Sequence, residues 1–168
     1  MRTLLLIVLL TVPTLARAQY YEQHRALSLL AGPGAGYTNA IQGDRAKTGP
    51  GVFLDLGGSL TVGDDRDELF LLIRGGLGEA GRGAVLISGF RSFFGHDEWQ
   101  SFFDLSAAVR LFSGTWVGPR IGFGLRRTLS DRLSLYGGLG LSLGFGSGMR
   151  VDTEASFGLQ WSFPIGSR

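Results

Sequence analysis

The sequence predicts an all-β protein, an eight-stranded antiparallel up-and-down barrel, and three observations predict it. Apolar residues alternate with glycine or polar residues over nearly all of the chain after residue 25, the period of a strand with two unlike faces. Glycine supplies 28 of the 168 residues, against a usual ~7 %, while charged residues reach only 18 %. The apolar segments are short and evenly spaced, and most are separated by turn residues. The glycines follow no triplet and the prolines number only five, which excludes collagen. Abundant apolar residues and a small net charge exclude a disordered chain. No cysteine is present, so disulfides and thiolate metal sites are excluded. No apolar run reaches the ~18 residues of a membrane-spanning helix.

Residues 1–18 are expected to be a cleaved signal peptide, leaving one domain over residues 19–168. Met1-Arg2-Thr3 gives a basic start, Leu4 to Val12 an apolar stretch broken only by Thr11, and Ala16-Arg17-Ala18 the small residues of a cleavage site. Cleavage removes two arginines, so 14 cations then balance 14 carboxylates. The basic character disappears with the leader. No Lys/Arg cluster marks a nucleic-acid surface, and none is expected as a partner.

The strands follow in order. Ala26 to Gly36 is the weakest. Leu54, Leu56, Leu60 and Val62 oppose Asp55, Gly57, Ser59 and Thr61. Leu69, Leu71, Ile73 and Leu77 oppose Arg74, Gly76 and Gly78. Gly83 to Phe94 is ambiguous, because Arg91 and Leu86 do not both fit one register. Phe103, Leu105, Val109 and Leu111 oppose Gln100, Asp104, Ser106 and Arg110. Val117, Ile121, Phe123 and Leu125 oppose Gly118, Arg120, Gly122, Gly124 and Arg126. Leu133 to Phe145 and Val151 to Phe163 complete the set with the same alternation. Strands of this length suffice for a bilayer, which takes ~9–11 residues. Tyr37 to Pro50 is the one segment long enough to be a true loop. Pro33 and Pro119, which remove ladder donors, are expected near one rim.

Alternation alone does not say which face meets water. A soluble barrel would turn its leucines inward, and a membrane barrel would turn them toward lipid. The glycine- and serine-rich polar face suits the narrow lumen of eight strands. Aromatics gather beside turns: Phe90, Phe93, Phe94, Trp99, Phe102 and Phe103 around one, Phe112 and Trp116 around another, and Trp161 and Phe163 at the end. Such groups suit the girdles at a membrane–water boundary.

The octad Ser156-Phe157-Gly158-Leu159-Gln160-Trp161-Ser162-Phe163 resembles the C-terminal insertion signal of outer-membrane barrels, with Ser156, Gly158, Trp161 and Phe163 at its defining positions. Five residues, Pro164 to Arg168, follow the aromatic that usually ends such chains. With the leader and eight strands, the chain resembles the small OmpA-like and OmpX-like outer-membrane barrels over Ala26 to Phe163. The resemblance implies a transmembrane barrel in a Gram-negative-type outer membrane, with outer-membrane lipid as its surroundings and the barrel-assembly machinery as a partner during insertion. A monomer with a structural or surface-interaction role is the expectation. A narrow channel for small solutes and a soluble periplasmic barrel binding an apolar ligand are the alternatives.

Chemistry-bearing motifs are few. Gly76-Leu77-Gly78-Glu79-Ala80-Gly81 fits G-x-G-x-x-G, but Arg82 to Gly89 is a poor helix, and a phosphate needs the helix start that such a motif opens. Hairpin glycines are the better reading. Outer-membrane lipid A deacylases and palmitoyl transferases need a histidine facing the outer leaflet, whereas His24 and His96 fall on the periplasmic side. No enzyme, cofactor or metal is expected. Asp55, Arg74, Asp104, Arg110, Arg120, Asp152 and Glu154 all fall on polar faces, so they are expected to form a lumen charge network that plugs the barrel. Arg126 points inward too. Inside a narrow lumen these charges must pair or be hydrated.

Overall fold

A computed structural model describes residues 25–42, 45–62, 67–95, 98–112, 114–146 and 148–165. The expected leader, His24 and His96 lie outside the described residues. The strands are β1 (Ala26–Gln42), β2 (Arg45–Val62), β3 (Asp67–Leu77), β4 (Val85–Phe94), β5 (Trp99–Arg110), β6 (Trp116–Ser130), β7 (Leu133–Gly146) and β8 (Met149–Pro164). A single helical turn, α1 (Gly78–Gly81), joins β3 to β4. Each strand pairs antiparallel with the next, and β8 returns to β1 to close the barrel. Closure leaves no unpaired edge.

The outer wall is apolar. Leu56, Ile73, Leu139 and Phe157 are 52–61 % exposed. Phe94, Trp99, Trp161 and Phe163 ring the end where β1 begins and β8 ends, Tyr37 and Phe145 stand on the outer face of the opposite, distal end, and Phe112 is exposed just after β5. Burying these faces in hydrocarbon is what makes such a surface stable. The girdle expectation needs one correction. Phe93, Phe102 and Trp116 are each 5–7 % exposed and point into the lumen, because they share parity with inward neighbours on their strands.

Three further expectations change. The expected loop from Tyr37 to Pro50 is a ribbon: Tyr37 pairs with Pro50 and continues through Ala40 with Lys47 to Gln42 with Arg45. Pairing on its other side holds β1 extended, with Ile41 opposite Met149. Arg91 and Leu86, separated by five positions, take opposite faces without conflict; Arg91 points in beside Val85, Ile87 and Phe93. Pro33 lies well inside the wall, where the β1–β8 ladder skips Gly32 and Pro33 between Ala31–Leu159 and Gly34–Ser156. Pro119 interrupts the β6–β7 ladder in the same way, nearer the distal rim. Each proline faces a neighbour it cannot donate to, and the register resumes beyond it.

The lumen is filled with side chains, and its glycines explain how. Phe53 lies against Gly34, Phe102 against Gly124, Trp116 against Gly144 and Tyr136 against Gly158, each where a Cβ would come within 2.2–2.6 Å of the ring or its hydroxyl. A large inward ring on one strand therefore uses the space that the neighbouring strand leaves open. Leu30, Phe70, Leu72 and Ile87 add an aliphatic and aromatic layer. The inner face is thus mixed, with rings packed among charges.

Candidate functional site: the charged lumen and its distal mouth

Strand parity turns the charges inward, and the closed sheet brings distant strands within reach across the lumen. A continuous ion-pair chain runs around the middle of the barrel. Arg74 on β3 donates to Asp55 on β2 with both Nε (2.7 Å) and Nη2 (2.8 Å). Its Nη1 donates across the lumen to Glu154 on β8, and its Nη2 reaches Glu154 Oε1 at 3.1 Å. Arg120 on β6 meets the same carboxylate, Nε at 2.8 Å and Nη2 at 2.6 Å. Arg120 Nη1 lies 3.7 Å from Asp104 on β5, which accepts from Arg91 on β4 at 2.7 and 3.0 Å. Six strands are joined by three arginines and three carboxylates. All six side chains are at most 8 % exposed.

Aromatic faces support the guanidinium groups. Arg74 sits 3.6 Å from the centre of the Phe53 ring and Arg91 4.4 Å from that of Phe102. Desolvated cation–π contacts of this kind contribute on the order of 2 kcal/mol. Two cavities of about 20 Å³ flank the chain, one beside Arg74, Arg120 and Glu154 and one beside Arg91, Asp104 and Tyr136. Each has room for about one water.

A second group lies nearer the termini. Arg126 donates to Gln100 (2.5 and 3.1 Å) and to Glu68 (3.1 Å), and Gln160 donates to Glu68 at 2.6 Å. A third lies at the distal mouth. Arg150 donates to Asp152 (2.6 and 2.7 Å) and to Thr38 (2.7 Å), and Thr38 donates to Asp152 at 2.5 Å.

Of the expected charge set, Asp55, Arg74, Asp104, Arg120 and Glu154 are joined directly. Asp152 belongs to the separate group with Arg150. Arg110 stands apart, its Nη2 3.5 Å from the Glu79 carbonyl, and it meets no carboxylate among the described residues. Sequence reasoning missed Glu68, Arg91, Arg150, Gln100 and Gln160 as network members. Parity was the available signal for Glu68, on Arg74's face, and for Arg150, on that of Asp152 and Glu154.

In the terminal octad, Gly158 and Ser156 face inward, while Trp161 and Phe163 face outward with rings stacked 6.3 Å apart. Strand β8 continues to Pro164, opposite Ala26. At the glycine motif, Gly76 and Leu77 end β3, Gly78 takes a positive φ of 79°, and a strand follows the single turn. No dinucleotide-type helix opens there. No cluster of three potential metal ligands forms among the described residues.

No protein-family model matches the sequence, and no curated protein matches it. Solved structures do. The crystal structure of Neisserial surface protein A superposes with a TM-score of 0.55 at 13 % identity, covering 82 % of this chain and 99 % of that one. The N-terminal β-barrel domain of Pseudomonas aeruginosa OprF gives 0.53 at 15 % identity, covering 82 % and 97 %. A de novo designed transmembrane β-barrel gives 0.53 at 13 % identity, covering 86 % and 100 %. At such identities the likeness concerns architecture. The chain has the fold of the small eight-stranded outer-membrane β-barrels.

Proposed function

We propose that the protein is an integral outer-membrane barrel, exported through a leader ending at Ala18, with a structural or surface-interaction role and a lumen closed by its own charges. It is non-enzymatic and monomeric, embedded in outer-membrane lipid after delivery by the barrel-assembly machinery. With the termini in the periplasm, the distal mouth faces outward. The observation that carries the reading is the ion-pair chain from Asp55 through Arg74, Glu154, Arg120 and Asp104 to Arg91, which crosses the lumen with cavities only about one water wide beside it. A soluble barrel would need its leucines inside, whereas Leu56, Ile73 and Leu139 face out.

Planar-bilayer recording tests the closed lumen. The unmodified protein should give no steady conductance, and Arg120→Ala, which removes the link between Glu154 and Asp104, should leak measurably. Steady ion-selective conductance from the unmodified protein would replace the plug with the narrow channel. Recovery in a carbonate-soluble periplasmic fraction would reject the membrane location.

A further inference from the structure

The distal mouth has a charge imbalance that the rest of the lumen does not. A cavity of about 60 Å³ opens there between the β1–β2 ribbon, α1 and the β7–β8 turn, lined by Lys47, Arg82, Arg110 and Arg150, with Glu79 and Trp116. Arg110 is only 4 % exposed, and its buried Nε has no hydrogen-bond partner among the described residues. It donates to the neutral Glu79 carbonyl, which Arg150 Nη2 also approaches, at 3.2 Å. Arg150 is already matched by Asp152, and the Glu79 carboxylate lies 3.8 Å from Arg82. Lys47 is exposed and makes no ion pair among the described residues. Among the described residues around the mouth, four cations thus face the two carboxylates of Glu79 and Asp152.

Every other buried lumen arginine, namely Arg74, Arg91, Arg120, Arg126 and Arg150, touches a carboxylate. Arg110 alone does not, among the described residues. A buried guanidinium without a counter-anion is costly, and its planar fork matches the oxygens of a phosphate. We infer that the distal mouth is a binding site for a phosphate-type oxyanion, centred on Arg110 with Lys47, Arg82 and Arg150 around it. The same oxygens are carried by a free phosphate and by a lipid headgroup phosphate. The inference holds whether or not the lumen conducts.

Calorimetric titration of inorganic phosphate into the folded full chain in neutral detergent tests it. Saturable one-site binding that weakens with salt is expected. Loss of the charge-assisted bonds in Arg110→Ala should weaken it about tenfold or more. Lys47→Gln, on the exposed rim where folding is not at stake, should weaken it by roughly threefold. Arg127→Gln, at the other end of the barrel, should leave it unchanged. Repeating the titration in phosphatidylcholine vesicles with and without phosphatidic acid separates the sources. Competition by the lipid identifies a headgroup phosphate as occupant, and an unchanged titration identifies a soluble oxyanion. Absence of saturable phosphate binding in the millimolar range would overturn the site, as would wild-type affinity in both Arg110→Ala and Lys47→Gln.

Discussion

Glu154→Ala removes the carboxylate that two arginines share, and the structure fixes how unequal the consequences are. Arg74 keeps its two-point contact with Asp55 at 2.7 and 2.8 Å, so its charge stays compensated. Arg120 keeps only Asp104 at 3.7 Å, a carboxylate already held by Arg91. One buried arginine is thus left without a close partner. Breaking one buried pair costs ~3–5 kcal/mol. Water entering the truncated side chain's space and the adjoining cavity of about 20 Å³ offsets part of that. The expected loss is about 3 kcal/mol. Arg110→Ala breaks no ion pair and should cost under about 1 kcal/mol, although Arg110 is as buried as Arg91. Equilibrium urea unfolding in lipid vesicles, followed by tryptophan fluorescence and heat-modifiable gel mobility, reads both. If Glu154→Ala stays within about 1 kcal/mol of the parent while Arg110→Ala costs about 3, pairing is not what stabilises the lumen.

Leu56→Arg, midway along the lipid-facing wall, should destabilise the membrane-folded protein by ~2–4 kcal/mol, whereas Leu60→Arg nearer the rim should cost about 0–1 in the same urea titration. Gly144→Val places methyl groups where the Trp116 ring lies, within 2.6 Å of its Cβ, and should cost ~1–3 kcal/mol with a shift in tryptophan emission. Trp161→Ala with Phe163→Ala should lower the amount of folded barrel recovered from membranes. Truncation after Phe163 should change it little, since it removes the Ala26–Pro164 pair at the end of the ladder and one backbone bond, from Ile165 N–H to the Arg25 carbonyl. Normal assembly of the double variant with failure of the truncation would move the insertion signal downstream.

Period two made the wall legible residue by residue, since parity alone decides whether Asp55 or Leu56 faces lipid. Parity failed where the inward face is itself apolar. In β4, Val85, Ile87 and Phe93 share Arg91's side, so hydrophobicity could not tell lumen from lipid. Turn-type residues between Tyr37 and Pro50 read as a loop, because local propensity does not register the pairing that β8 imposes on β1. Arg74 and Asp55 oppose one another on neighbouring strands, a contact that one register decides. The contact of Arg74 with Glu154 spans β3 and β8 and depends on the stagger of all the strands between them, which no local pattern encodes.

The placement of Glu154 on β8 also bears on the order of assembly. The arginines it serves lie on β3 and β6, and β8 is the strand that closes the barrel on β1. Arg120 reaches Glu154 over Gly140 on the strand between them, so that pair needs only the sheet of β6, β7 and β8, whereas Arg74 has only its Asp55 contact while the sheet is still open. Docking β8 on β1 therefore completes the hydrogen-bonded seam and brings Glu154 to Arg74 in one event. Closing the barrel thus adds an ion pair to the backbone bonds of the seam, and the two together favour the finished cylinder over an open sheet.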